Sequence, residues 1–465
     1  MVGCQPRLRT QRPVDANASN ERVARRERST QGSLRSEQVF ATLPQVIDRS
    51  ATIVALRARI TALGGTGVAQ RAPQRLEQDA AGRAGALGFL VEQQAGGEVF
   101  VRRLVVDLAP FLERAGLQTS PPVADLLDLL GHPCADGGPA WVSGEGVGVL
   151  DIESLGLRGS GVMAFLVGLG VQHRDVLHAE QYLLVEPDGE AAMLAAIAGR
   201  IGAHRLWLTY NGRSFDVPVL SARCTVNRLD PAAVVPRLHG DVLGPVRRLF
   251  AERLGECTLR HAEMSLINHH RIDDVPGIEA PGRYRSWLRG APAPVLAGVV
   301  EHNLQDIVST VVVAARLAAH VAGERVRPAH AADSFHLARH LERRGVADAA
   351  ETELRATAAA GVDPWARRAS HRLAVLLQRR GEVAEALAIW RRLLATDPND
   401  LRAARGCAIR LERGGDLAAA LDICVAVRRT RAELGPWWQR LRGGGADGDL
   451  DWDRREARLR RRLHS

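Results

Sequence analysis

The run Val147-Gly148-Val149-Leu150-Asp151-Ile152-Glu153 opens the part of the chain from which a fold can be read. It is short, apolar and β-branched, and it ends on two carboxylates one residue apart. A strand sends alternate side chains to the same face, so Asp151 and Glu153 project side by side. Close like charges raise each other's pKa, a penalty that a divalent cation between them would remove. Working outward, Ala164 to Val171 and Gln181 to Val185 read as two further strands joined by Gly-containing turns. Glu190 to Ile201 has helical spacing, with Met193, Leu194, Ile197 and Ile201 on one face. Leu206 to Tyr210 reads as another strand. Three strands followed by helix and strand predict an α/β fold on a mixed sheet. Val295 to about Val321, apolar and free of proline after Pro294, reads as a long helix.

Two further elements carry candidate chemistry. Tyr210-Asn211-Gly212-Arg213-Ser214-Phe215-Asp216 lies between a strand and a helix. Asn-Gly favours a tight turn, and Ser214 as N-cap would put Asp216 in the first helical turn, where a purely capping carboxylate is the plain alternative. In His302-Asn303-Leu304-Gln305-Asp306 the i, i+4 spacing puts His302 and Asp306 on one helix face. The plain alternative there is a surface contact. Taken together, Asp151, Glu153, Asp216 and Asp306 form a set of hard oxygen donors of the kind that suits Mg²⁺ or Mn²⁺. Two such ions about 3.5–4 Å apart can hold the attacking water and the leaving oxygen of an in-line phosphoryl displacement. His302 is placed to take the water's proton.

With these residues in hand, the segment resembles the DEDD (DnaQ-like) exonuclease superfamily of the RNase H-like fold, and within it a bacterial YprB-like branch. The resemblance rests on LDIESLGL from Leu150, AFLVGLG from Ala164, LTYNGRSFDVPVL from Leu208 and HNLQD from His302. HGDVLGPVRRLF from His239, CTL at Cys257 and RIDDVPGIEAPGRY from Arg271 add to it. It implies Asp151, Glu153, Asp216 and Asp306 as ligands of two Mg²⁺ or Mn²⁺ ions, His302 as general base, and 3′–5′ exonuclease activity on a single-stranded nucleic-acid end. One departure matters. Histidine-type members place the His five residues before the last Asp, whereas here the gap is four, the tyrosine-type spacing, which would have His302 position the water rather than deprotonate it. Asn211, Arg213, Arg271 and Tyr284 are candidate substrate contacts. A turn role competes for Asn211 and a solvated side chain for Arg213. Asp241 is either a supporting carboxylate or a helix N-cap. Substrate contact and loop structure cannot be separated for Arg271, Asp273, Asp274 and Tyr284.

The whole chain has 465 residues and a net charge of +9. At roughly 100–200 residues per domain it holds two to four folded units. It contains no lysine, so all 62 formally basic side chains are arginine. Arginine forks grip phosphate oxygens in pairs, and a basic surface favours polyanions. No apolar run is expected to reach the ~20 residues of a membrane span, and no secretory signal is visible, which makes the cytoplasm the expected location. The six scattered cysteines lack CxxC spacing, so free thiols are expected and structural zinc is not.

Domain organisation reads as a basic, disordered arm over 1–45, a region of unclear fold over 46–145 with a candidate hairpin from Gly88 to Asp107, and the RNase H-like domain over 146–322. Helical repeats follow over 330–432 and a basic tail over 433–465. In the repeats, Ala338, Leu341, Gly345, Ala350 and Leu354 recur in phase as Ala374, Leu377, Gly381, Ala386 and Trp390, then as Ala408, Leu411, Gly415, Ala420 and Cys424. The pattern resembles tetratricopeptide (TPR) repeats, which implies a protein partner. His336 and His340 read as repeat-surface residues. Two rival functions stay open: a non-catalytic nucleic-acid-binding adaptor whose repeats recruit a partner, and a structure-selective endonuclease.

Overall fold

The computed structural model describes residues 80–94, 96–121, 126–127, 129–130, 146–156, 162–434 and 447–465. The expected arm over 1–45 lies outside them, as does much of the region over 46–145. Chain order begins with α1 (Ala80–Gly85), β1 (Leu90–Gln94), β2 (Gly97–Asp107), α2 (Ala109–Arg114), β3 (Val147–Ser154), β4 (Ala164–His173) and β5 (Val176–Leu183). It continues with α3 (Glu190–Ala203), β6 (Leu206–Thr209), α4 (Asp216–Val226), β7 (Leu238–Asp241), α5 (Leu243–Leu254), α6 (Leu259–Leu266), α7 (Ala280–Leu288) and α8 (Pro294–Ala322).

The seven strands form one mixed sheet in the order β1-β2-β5-β4-β3-β6-β7. The pairs β1–β2, β2–β5, β4–β5 and β3–β4 are antiparallel, while β3–β6 and β6–β7 are parallel. Strand β5 starts earlier than its apolar residues suggest, because Val176 to Glu180 alternates with the polar His178 and Glu180. The turn from β4 to β5 uses no glycine, Arg174 adopting the left-handed conformation (φ 53°) instead. The expected hairpin forms, with Leu90 opposite Val101. Its second strand then pairs along β5 from Phe100↔Leu183 to Asp107↔Val176, so the sheet runs across the 145/146 boundary drawn from sequence.

Pleating divides β3 between two cores. Leu150 and Ile152 pack on one side of the sheet. Val147 and Val149 pack on the other, with Ile307 and Val311 of α8. Asp151 and Glu153 share the parity of Val149 and therefore lie on the α8 side. Helix α8 can approach closely because β4 carries glycine there. A Cβ on Gly168 would sit 2.4 Å from both Asn303 Oδ1 and Ile307 Cδ1, and one on Gly170 would sit 2.8 Å from Ile307 Cγ2. Contrary to the sequence expectation, α8 is long and apolar enough to cross a membrane by length and composition, with mean hydropathy 1.3, but 83% of that window is buried within the fold.

Beyond α8 the chain is helical: α9 (Ala331–Arg343), α10 (Ala347–Ala359), α11 (Trp365–Arg379), α12 (Val383–Thr396), α13 (Leu401–Arg413), α14 (Leu417–Leu434) and α15 (Asp447–His464). The recurrent glycines Gly345, Gly381 and Gly415 occupy equivalent turns, inside α9–α10, α11–α12 and α13–α14, at φ 78°, 87° and 86°. A Cβ is strained in that conformation. The recurrent alanines Ala338, Ala350, Ala374, Ala386, Ala408 and Ala420 are fully buried. The basic C-terminal segment is not a free tail. Trp452 and Leu459 of α15 are buried in the helical core, and Arg455, Arg458 and Arg462 all pair with Glu412.

Candidate active site

Strand β3 delivers Asp151 and Glu153, α4 delivers Asp216 and α8 delivers His302, Asn303 and Asp306, and a set of short contacts ties these elements together. The backbone N–H of Ile152 donates to Asp216 Oδ1 (3.0 Å), which fixes the start of α4 against β3. Asn303 Nδ2 donates to Asp151 Oδ2 (2.8 Å). His302 Nε2 stands 3.8 Å from Glu153 Oε1 and 3.6 Å from Asp306 Oδ2. Its other nitrogen, Nδ1, is 2.6 Å from Asp274 Oδ1.

The electrostatics follow from burial of like charges. Asp151 is pushed well above the ordinary carboxylate range, first by burial and then by the charges of Asp306, Asp216 and Glu153, with the Asn303 hydrogen bond opposing. Burial, Asp306, Asp216 and Asp274 raise Glu153 to about 8. Burial raises Asp216 to about 7 against the pull of its backbone hydrogen bonds. No arginine within ion-pair distance compensates these three among the described residues. Asp306 differs: Arg271 Nη2 pairs with its Oδ1. The same guanidinium is gripped by Glu263, with Nε 2.9 and 3.0 Å from the two oxygens, and its Nη1 lies 3.6 Å from Asp274 Oδ2. Among the described residues no three His, Cys, Asp or Glu side chains form a ready-made metal cage. The donor chemistry nevertheless fits a hard divalent cation. Three buried carboxylates repel one another without a counter-charge, and an added cation is what would lower their shared penalty.

Against known proteins, the family model RNase_H_2, described as RNase_H superfamily, matches residues 149–318. Residues 149–318 are an RNase H-like domain. The chain is also 27% identical over 246 residues to the uncharacterized protein YprB of Bacillus subtilis (strain 168), covering 52% of this chain and 59% of that protein, so it spans about three fifths of the relative's length. Among solved structures it is similar to the family B DNA polymerase of Pyrobaculum calidifontis, at 16% identity, covering 45% of this chain and 30% of that one, with a TM-score of 0.31, a likeness too loose to carry an argument.

Within the RNase H-like domain, other sequence candidates take different places. The backbone N–H groups of Asn211 and Arg213 donate to Asp241 Oδ1 (2.9 Å) and Oδ2 (3.2 Å), and Leu243 N donates to Oδ1 (3.1 Å). Asp241 thus staples the turn that leads to Asp216 and accepts from the first residue of α5, whose N-cap is Val242 without a side-chain cap. Asn211 takes the left-handed conformation (φ 70°). Arg213, exposed, donates from Nη2 to His239 O (3.0 Å). Ser214 does not cap α4, whose N-cap residue is Phe215, without a side-chain cap. Two candidates are corrected. Tyr284 is a core residue, stacked on Phe165 with its hydroxyl donating to Leu184 O (2.5 Å), and it offers a substrate no face. Arg271, its side chain 3% exposed, has its guanidinium committed to carboxylates rather than to phosphate.

Sequence reasoning left Asp274 undecided and passed over Asn303, Glu263 and Gln181. Asn303 sits inside the HNLQD segment, one residue from His302. Its Oδ1 accepts from Gln181 Nε2 (2.9 Å), and Gln181 Oε1 in turn accepts from Arg102 Nη1 (3.2 Å). A hydrogen-bonded row therefore runs from β2 through β5 and α8 to Asp151. No local signal marks Gln181, which reaches Asn303 only by tertiary packing.

Proposed function

We propose that this chain is a two-metal-dependent nuclease that hydrolyses phosphodiester bonds, in 3′–5′ exonuclease mode on a single-stranded end. One observation supports the reading above others: carboxylates from β3, α4 and α8 lie close enough to raise one another's pKa, and two of them, Glu153 and Asp306, flank a histidine whose remote nitrogen is held by a further carboxylate. Asp151, Glu153, Asp216 and Asp306 are the proposed ligands. Bound Mg²⁺ or Mn²⁺ would supply the charge that polarises the phosphate and steadies the attacking and leaving oxygens.

The chain's own residues do the rest. Nδ1 faces Asp274 Oδ1 (2.6 Å) and Arg271 Nη1 (3.2 Å), and in the tautomer whose Nδ1–H donates to Asp274 the lone pair lies on Nε2, aimed between Glu153 and Asp306. A base oriented by a second carboxylate is the arrangement that accepts a proton from water. This favours proton transfer over mere positioning for His302, despite its four-residue spacing from Asp306. Asn303 holds Asp151 in one rotamer, Ile152 N holds Asp216, and Asp241 sets the turn carrying Arg213, which is exposed and placed to meet a phosphate.

The second reading, a nucleic-acid-binding adaptor, is favoured by the Arg271–Asp306 pair, which engages one proposed ligand with a protein cation. Cleavage of end-labelled single- and double-stranded DNA and RNA with Mn²⁺, with Asp151→Asn as control, separates the two. Mn²⁺-dependent mononucleotide release, abolished in the variant, supports the exonuclease. Internal cuts would make it an endonuclease, and binding without cleavage would make it an adaptor. We read the C-terminal hairpins as TPR-like repeats, which gives the nuclease a second binding surface.

A further inference from the structure

The repeats contain an unusual concentration of uncompensated positive charge. A groove of about 990 Å³ opens between α5 of the RNase H-like domain and α9, α11 and α13. Arg339, Arg368, Arg402, Arg405, Arg410 and Arg413 line it, with Glu252 of α5 as its one carboxylate. A seventh lining arginine, Arg372, is neutralised by Glu342 (2.5 Å), and Arg405 faces Asp451 only at 3.9 Å. Arg339, Arg368, Arg402, Arg410 and Arg413 have no carboxylate within ion-pair distance among the described residues. Arg410 Nε is buried with no hydrogen-bond partner.

Elsewhere in the helical region arginines are partly matched by acids, although Arg343, Arg379, Arg391 and Arg392 also lack a carboxylate within ion-pair distance among the described residues. Arg355 pairs with Glu351 and Glu385, and Arg380 with Asp348 and Glu351. What sets the groove apart is that its unpaired arginines are collected in one concavity. Burial, and after it the charges of Arg339, Arg368 and Arg343, hold His336 on the wall below its ordinary range, against the opposing pull of Glu252. Charge of one sign collected in a concavity focuses the field there and attracts a polyanion.

We propose that this groove binds the phosphodiester backbone of a nucleic-acid strand. The guanidiniums come from three separate first helices, α9, α11 and α13. That spreads them in ranks, suited to a repeating anion rather than to a single carboxylate. Trp390 and Phe335 lie on the wall but are buried, at 3% and 8% exposure, so contact falls on phosphates and not on stacked bases, and binding is indifferent to sequence. One helix links the groove to the neighbourhood of the candidate site. Helix α5 starts beside Asp241, which staples the Asn211–Arg213 turn, and its far end brings Glu252 to the groove, a span of roughly 18 Å at ~1.5 Å per residue. The choice of nucleic acid over an acidic protein rests on the nuclease reading, so binding and cleavage must be measured apart.

The experiment uses the full chain with EDTA present and measures anisotropy of a fluorescein-labelled 20-mer of dT or U across a salt series. Wild type and Asp151→Asn are expected to bind alike. The triple variant Arg368→Gln/Arg402→Gln/Arg413→Gln, its fold checked by circular dichroism, is expected to bind at least about tenfold more weakly. Its slope of log affinity against log salt should be shallower by about 2, at roughly 0.7 for each phosphate no longer neutralised. Equal affinity and slope in the triple variant would overturn the proposal, as would no binding by wild type at low salt. A labelled poly-glutamate peptide that binds wild type as tightly, and is released equally by the triple variant, would overturn it in favour of an acidic protein partner. Binding with no Mn²⁺-dependent cleavage would instead fail the nuclease reading and leave the groove standing.

Discussion

Asp151 and Glu153 are held side by side at an energetic cost, and the cost makes predictions about single residues. Removing one buried like charge should relieve repulsion among the remaining carboxylates. Asp151→Asn is therefore expected to abolish turnover while leaving the melting temperature of the metal-free protein unchanged or higher, as read by calorimetry in EDTA. A marked loss of stability would mean that Asp151 serves the fold. Asp274→Asn removes the carboxylate that orients His302, and kcat should fall by about 10²-fold or more, in the range assigned to a positioned base. The acidic limb of the pH–rate profile should change with it, a readout that a purely structural role would not move. These residues differ in how far the sequence revealed them. Asp151, Glu153, Asp216, His302 and Asp306 were legible because strand parity and helical i, i+4 spacing are local rules. Asp274 and Glu263 were not, because their roles arise from the side chains that tertiary folding brings to them. Arg271 and Tyr284 were misassigned for the same reason: nothing in a loop sequence states that its arginine will be buried against Glu263, or that its tyrosine will stack on Phe165.

At the scale of elements, the meeting of β4 and α8 sets the site. Gly168 stands opposite Asp151 on β3 and beneath Asn303 of α8. Gly168→Ala places a methyl where Asn303 Oδ1 and Ile307 now sit, and overpacking of this kind costs about 1–3 kcal/mol. The chemistry should suffer beyond that loss, since the amide that holds Asp151 must move. A temperature series that separates folded fraction from specific activity checks this, and full activity per folded molecule would refute it. A second prediction concerns α9. His340, expected at the repeat surface, is 1% exposed, and neither ring nitrogen has a hydrogen-bond partner. Burial, with the charges of Arg248 and Arg343, lowers it to about 4. The unfolded chain then takes up a proton that the folded chain refuses. The stability it contributes is complete above its ordinary 6.5 and is lost as pH falls toward 4. His340→Leu should flatten the decline in melting temperature across that window, by roughly 3 kcal/mol at its lower end. The strands and the long helix were readable from periodicity. The early start of β5 and the glycine-free turn at Arg174 were not, because polar alternation and a strained non-glycine turn carry weak local signals.

At the scale of the molecule, the C-terminal helices are joined to the RNase H-like domain by more than a linker. Arg253 of α5 pairs with Asp333 of α9, with Nε 2.7 Å from Oδ2, and also donates to Pro328 O (2.7 Å). Arg253→Ala strands a buried carboxylate, a change that costs about 3–5 kcal/mol when one partner of such a pair is removed. Faster proteolysis between α8 and α9 is the expected sign, and an unchanged cleavage pattern would show the joint to be held by other contacts. The repeat period and its glycines were visible in sequence. The packing of α15 was not, since an Arg-rich helix reads as a solvated tail until Glu412 is found to gather three of its arginines.

The pairing of β2 along β5 bears on how the molecule can be divided. A fragment starting at residue 146 would keep every proposed metal ligand, yet it would lay bare the backbone donors and acceptors of β5 from Val176 to Leu183, an invitation to strand exchange and clumping. The smallest soluble catalytic piece should therefore begin ahead of the hairpin, well upstream of where family likeness starts.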